Sequence, residues 1–151
     1  MQEIRNKRAY FDYQILEKFE AGLVLNGQEV KSIKSGRLNL AGSYVVAKQA
    51  KSAGFFLIGA NVPPYQPKNA AKDYQPERSR QLLLRKKEID YLIGKTRQKG
   101  LTLVPLRVYT VRNRIKLEFA LTKGKKQFDK REVIKKREIN KEIERTLKTR
   151  G

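Results

Sequence analysis

Leu101-Thr102-Leu103-Val104-Pro105-Leu106-Arg107-Val108-Tyr109-Thr110-Val111, then Arg112-Asn113-Arg114, then Ile115-Lys116-Leu117-Glu118-Phe119-Ala120-Leu121 is the stretch whose reading decides the fold class. In its last part Ile115, Leu117, Phe119 and Leu121 share one face, and Lys116, Glu118 and Ala120 the other. That is the period-two pattern of a half-buried strand. With Arg112-Asn113-Arg114 as the turn, the stretch reads as an antiparallel hairpin.

Working outward, Tyr13 to Leu25 mixes β-formers with charges and stops at Asn26-Gly27, so it reads as one long strand. Gly27 to Gly36 carries Val30 and Ile33 three apart, with Gly36 as a stop, and predicts a short helix. Ser43 to Lys48 and Phe55 to Ala60 predict two strands around Lys51-Ser52-Ala53-Gly54. Pro63, Pro64, Pro67 and Pro76 make Val62 to Arg80 a long loop. Leu82-Leu83-Leu84 fits a short strand. Ile89, Leu92, Ile93 and Thr96 then recur at helical spacing, so Lys86 to Lys99 should be an amphipathic helix closed by Gly100. The sum is a mainly β chain: about six short strands and one to two helices, expected as a small closed or nearly closed β-barrel of the OB-fold kind. Other mixed α+β arrangements also fit the pattern.

The chain has 151 residues, a length that favours one domain with an ordinary core. Its 35 Lys and Arg against 15 Asp and Glu give a formal charge of +20, with a pI near 10.3. Such a charge points to a polyanionic partner, foremost RNA or DNA. Having neither Cys nor His, the chain lacks disulfides, thiolate nucleophiles and the commonest general base and transition-metal ligand. The charged start Met1-Gln2-Glu3-Ile4-Arg5-Asn6-Lys7-Arg8 has no apolar core of a signal peptide, and no apolar run approaches the ~20 residues of a membrane span. A cytoplasmic protein with no membrane partner, no cofactor and no metal is expected.

From Thr122 to Gly151 the composition shifts to 12 basic and 5 acidic residues, a charge of +7 for this tail alone. Ile139, Ile143 and Leu147 would form only a narrow stripe on a helix, too little for an isolated helix to persist. The tail is expected to be disordered when free and helical when bound. The preceding body, with 23 basic and 10 acidic residues through Leu121, is itself near +13.

Several blocks, taken in order, resemble one family. They are Asn6-Lys7-Arg8-Ala9, Phe19-Glu20-Ala21-Gly22, Gly27-Gln28-Glu29-Val30-Lys31-Ser32, Gly36-Arg37, Ser43-Tyr44, Arg80-Gln81-Leu82-Leu83-Leu84, Gly100-Leu101-Thr102-Leu103-Val104 and Gly124-Lys125-Lys126-Gln127-Phe128-Asp129-Lys130-Arg131. Together they resemble SmpB, the SsrA-binding protein family of bacteria, from residue 5 to about 145. The resemblance implies an OB-fold body over residues 1–123 that binds the tRNA-like domain of transfer-messenger RNA (tmRNA). It also implies a basic tail over 124–151 that enters the empty mRNA channel of a stalled ribosome and reports to the decoding centre on the small-subunit RNA. The activity implied is trans-translation, with alanyl-tmRNA and elongation factor Tu as further partners and no enzymatic step.

By the same resemblance, Asn6, Glu20 and Leu83 match tmRNA-binding positions, Lys7 and Arg8 stand in the same block as Asn6, and Tyr13 and Tyr44 match further positions of the barrel. Gly124, Lys125 and Lys126 match the approach to the tail, and Asp129, Lys130 and Arg131 its ribosome-engaging motif. Phe128 matches an aromatic or His position that stacks on decoding-centre RNA; Phe keeps the stacking and loses any contact that depends on a proton.

Chemistry leaves most of these residues two readings. Glu20 is either an acceptor for RNA base or 2′-hydroxyl edges or a surface carboxylate paired with a Lys. Asn6 is a turn residue or reads an RNA edge. Leu83 belongs to the core or, on the strand face opposite Leu82 and Leu84, meets an unstacked base. Tyr10, Phe11, Tyr13, Tyr44, Tyr65 and Tyr74 are stacking platforms, or half or more of them are core. Phe128, ringed by Lys125, Lys126, Asp129, Lys130 and Arg131, favours stacking. Basic charge confers salt-sensitive affinity without choosing a partner, so selectivity is expected on the body.

Two other functions fit parts of the sequence. A structural ribosomal protein or general RNA chaperone would share the charge and the tail. A metal-dependent nuclease would need clustered carboxylates, yet Asp12, Asp73, Asp90 and Asp129 are scattered. Phosphate-binding Gly-rich loops are absent, so neither GTPase nor ATPase activity is expected.

Overall fold

Arg112 and Asn113 take φ values of 50° and 65°, the left-handed pair that a two-residue hairpin turn requires to match the twist of its strands. In the computed structural model, which describes residues 3–49 and 53–125, this turn joins β6 (Leu101–Val111) to β7 (Arg114–Gly124). The ladder runs from Leu101 opposite Lys123 to Val111 opposite Arg114. Ile115, Leu117, Phe119 and Leu121 are buried as the alternation predicts. Ala120, expected on the outer face, is buried too, because Ala9, Val104 and Leu106 cover it in a second small cluster.

Before this hairpin come β1 (Ile4–Arg5), α1 (Lys7–Asp12), β2 (Tyr13–Leu23), α2 (Gly27–Lys34), β3 (Tyr44–Gln49), β4 (Ala53–Ile58), β5 (Arg80–Leu83) and α3 (Lys86–Thr96). A short 3₁₀ turn at Pro67–Asn69 lies in the long loop. All strands form one antiparallel sheet in the order β1-β6-β3-β4-β5-β2-β7, and the β6–β7 pairing closes six of them into a ring. Among the described residues the chain is thus mainly β, with seven strands where about six were expected and three α-helices where one or two were. The additions, β1 and α1, are too short to show periodicity. The predicted stops at Gly36 and Gly100 have positive φ, 87° and 83°, where a Cβ would be strained.

Inside the ring, Leu57, Leu103, Val108, Leu117 and Phe119 are almost wholly withdrawn from water, each contributing roughly 1.5–3 kcal/mol of burial. Phe119 stacks on Phe19, centroids 5.5 Å apart. α3 adds Leu92 to the core, with Ile89 and Ile93 packed against it. Of Tyr10, Phe11, Tyr13, Tyr44, Tyr65 and Tyr74 none is fully buried, although Tyr10 and Tyr13 pack against the second cluster. All six remain at least partly exposed, because Phe55 and Phe119 supply the buried rings.

Two polar devices hold the loops. At the start of α2, Asn26 Oδ1 accepts the Glu29 amide N–H and Glu29 Oε1 accepts the Asn26 N–H, both at 2.9 Å. The same Glu29 carboxylate, fully buried, receives Arg80 Nε at 2.5 Å and an Arg78 terminal nitrogen at 2.6 Å. Arg80 then donates to the carbonyls of Ala60 and Pro76. The long loop is pinned further by Ser32 Oγ donating to Pro63 O and Tyr74 Oη donating to Val62 O. Burial works against the charged form of Glu29, yet Arg78, the Asn26 N–H and Arg80 together hold its carboxyl below the ordinary range.

Candidate nucleic-acid interface

Pro105 has no N–H to give to a ladder, and β6 responds with a register shift between Pro105 and Arg107. Asn6 occupies the position this shift exposes. Its backbone N–H donates to Leu106 O at 2.8 Å, and its side-chain Nδ2 donates to Pro105 O at 2.9 Å. Only 5% exposed, Asn6 therefore orders the entry into α1. Its side chain does not cap that helix.

Around this anchor lies a hollow of about 540 Å³. Asn6, Arg8, Ala9, Asp12 and Tyr13 come to it from α1 and its flanks, Ala41 to Tyr44 from the turn into β3, and Thr102 and Val104 from β6. Of the residues singled out in the sequence, Asn6, Arg8, Tyr13 and Tyr44 thus share one site. Tyr44 is 45% exposed, so a ring face is available for a stacked base. Arg8 carries the positive charge and holds Asp12 only loosely, Nε to Oδ2 at 3.3 Å on the surface. Lys7 is exposed on α1 and does not line the hollow.

The last described residues return to the same place. Gly124 stands opposite Tyr13 in the β2–β7 ladder. Lys125 donates its backbone N–H to Asp12 O at 3.0 Å and its Nζ to Tyr10 O at 3.1 Å. Lys126, Phe128, Asp129, Lys130 and Arg131, with the expected disorder or helix of the tail, lie outside the described residues.

Glu20 and Leu83 are found elsewhere, on the outer face of the sheet. Leu83 is 60% exposed beside Leu82 at 3%, as strand alternation requires. It stands opposite Gly22 on β2, while Glu20 stands opposite Glu118 on β7. The same face carries a charged row that sequence reading missed. Arg107 donates to Glu118 at 3.1 Å, lies 3.6 Å from a Glu3 oxygen, and covers the Tyr109 ring at 4.1 Å. Glu118 raises the Arg107 pKa further, and burial, together with a hydrogen bond to Glu20, pushes the Tyr109 hydroxyl up to about 12. Glu20 thus faces a tyrosine hydroxyl rather than the lysine its surface position suggested. No spacing rule links residues 20, 107, 109 and 118; only the register does. Among the described residues no three acidic side chains gather into a possible metal site, and no helix is long and apolar enough to cross a membrane.

The family model described as SmpB protein matches residues 3–149. The SsrA-binding protein of Syntrophobacter fumaroxidans is 48% identical over 146 residues, covering 97% of this chain and 88% of that protein. That of Cupriavidus necator is 49% identical over 143 residues, covering 95% and 93%. A solved structure described as "tmRNA-SmpB: a journey to the center of the bacterial ribosome" superposes with a TM-score of 0.67 at 41% identity, over 84% of this chain and 87% of that one. With a family match along nearly its whole length and relatives near half identity, this chain belongs to the SmpB family of SsrA-binding proteins.

Proposed function

We propose that this protein binds tmRNA and serves trans-translation on stalled ribosomes in the bacterial cytoplasm, as an adaptor and not as an enzyme. The observation that carries the reading is its family membership along residues 3–149, joined to the gathering of Asn6, Arg8, Tyr13 and Tyr44 in one hollow with an exposed ring and an arginine whose ion pair to Asp12 is a loose surface one. The ring of six strands fits an OB-fold barrel, whose faces and loops commonly hold oligonucleotides. In this reading residues 1–123 grip the tRNA-like domain, with Asn6, Lys7, Arg8, Tyr13, Glu20, Tyr44 and Leu83 at the contact. Residues 124–151 enter the vacant mRNA channel, and Gly124, Lys125, Lys126, Phe128, Asp129, Lys130 and Arg131 engage the decoding centre. Alanyl-tmRNA with elongation factor Tu is the form in which the RNA is delivered.

The test is competition at physiological salt. A body truncated after Lys125 is titrated with the tRNA-like domain, then challenged with an unrelated RNA of equal length. Retained preference for the tRNA-like domain is expected; equal affinity for both would replace the adaptor reading with that of a general RNA chaperone.

A further inference from the structure

Gly22 lies between two groups of opposite character on the outer face of the sheet. Across the ladders, Leu83 of β5 stands opposite Gly22 of β2, Gly22 opposite Lys116 of β7, and Lys116 opposite Tyr109 of β6. Leu83 is the exposed member, and its side chain lies over the place where Gly22 has none. A Cβ on Gly22 would meet Leu83 Cδ1 at 3.2 Å, with Leu83 Cβ and Cγ at 3.6 and 3.8 Å. The first separation is closer than van der Waals contact allows without movement. The neighbour that must move is an exposed, rotatable side chain and not backbone, so relief requires that Leu83 give by a few tenths of an ångström.

Gly22 does not need to be glycine for its own conformation, since its φ is not positive. Nor does glycine help a strand: it weakens the interior by its entropy and offers no side chain to pack. A glycine held near the end of β2 without a backbone requirement marks a close approach, and here the approaching group is Leu83. Seated in this way, Leu83 walls a hollow of about 470 Å³ with Leu25, Val30, Arg114 and Lys116. Its apolar wall suits the face of an unstacked base, and its two cations suit the adjoining phosphates.

We propose that Gly22 is a positioning residue for RNA recognition: by lacking a side chain it lets Leu83 lie across β2, where Leu83 forms the wall of a hollow that takes one unstacked base while Arg114 and Lys116 neutralise its phosphates. This rests on the reading of Leu83 as a tmRNA contact. Gly22 touches no RNA; it acts through Leu83.

A double-mutant cycle on the full chain tests it, with binding to the tRNA-like domain measured beside an unrelated RNA of equal length. Leu83→Ala should weaken specific binding about tenfold, the loss of one apolar side chain's burial against a base. Gly22→Ala should reproduce part of that loss, about two- to threefold, while the thermal unfolding midpoint stays near the parent's. In the Leu83→Ala background, where no δ-methyl remains to be displaced, Gly22→Ala should add nothing. Leu83→Ile moves the same δ-methyl with Gly22 intact, and should weaken binding even if Gly22→Ala folds poorly. Parental affinity in Gly22→Ala or Leu83→Ile, or an equal effect of Gly22→Ala with and without Leu83, overturns the proposal while leaving the adaptor reading intact. A parent protein that does not prefer the tRNA-like domain fails the adaptor reading itself. Preference for that domain with an inert Leu83→Ala removes Leu83 from the interface, and Gly22 with it.

Discussion

Glu29 and Arg80 form an ion pair with both side chains withdrawn from water, joining the first turn of α2 to the start of β5 across 51 residues of sequence. The carboxylate also closes the capping box and holds Arg78, so its acceptor sites face N–H donors on three sides. Removing Glu29 strands Arg80 as a buried charge, whereas removing Arg80 leaves Glu29 its pair with Arg78.

Glu29→Ala is accordingly expected to lower stability by about 3–5 kcal/mol, the usual cost of breaking a buried pair by deleting one member. Urea unfolding of the two proteins measures it. A loss under about 1 kcal/mol would mean that water reaches Arg80 in the native protein.

The same carboxylate predicts a pH dependence. Its folded pKa is lowered from the ordinary 4.5, so its contribution is fully present above that value and is lost as pH falls through the folded value. Melting temperature should therefore stay nearly level from pH 7 to 5 and drop below about pH 4.5, with a shallower acid limb in Glu29→Gln. Parallel acid limbs in the two proteins would assign the drop to other carboxylates.

Asn6 and Tyr44 should separate by readout although they line the same hollow. Asn6→Ala leaves the Pro105 carbonyl without its buried donor, at about 1–3 kcal/mol of stability, and weakens RNA binding as a consequence. Tyr44→Ala removes an exposed ring and should weaken RNA binding with little change in unfolding. Equal destabilisation by the two substitutions contradicts the roles given to them.

Arg112 holds a left-handed φ of 50° with a bulky side chain. Arg112→Asn, better suited to that conformation, should stabilise the hairpin by about 0.5–1 kcal/mol, a part of the left-handed penalty, and leave RNA binding unchanged. Calorimetry and the same RNA titration decide both halves.

Alanine replacement of Phe128 to Arg131 is expected to leave tmRNA binding intact and to abolish tagging of nascent chains on stalled ribosomes. Undiminished tagging would remove the decoding-centre role from this segment.

What the sequence could disclose was what neighbouring residues decide among themselves. The alternation of Ile115 to Leu121, the turn at Arg112-Asn113 and the helical spacing of Ile89, Leu92 and Ile93 are local patterns, and they place β6, β7 and α3. β1 and α1 escaped because two residues and six residues carry no period. The closure of the sheet depends on which strand meets which, and nothing local records that Tyr13 stands opposite Gly124. Glu29 left a readable sign, Asn26 three residues before it in the capping pattern, but its arginine partners lie far along the chain. The residues proposed to face RNA are suggested by family likeness and not by any local pattern. That Asn6, Arg8, Tyr13 and Tyr44 meet in one hollow while Glu20 and Leu83 lie on the sheet's outer face is a product of the register alone.

The clasp of Lys125 onto Tyr10 and Asp12 makes α1 a shared strut, because the helix that lines the hollow also holds the chain where it leaves β7. Any substitution that unseats α1 therefore also loosens residue 125, since both of its hydrogen bonds end on that helix.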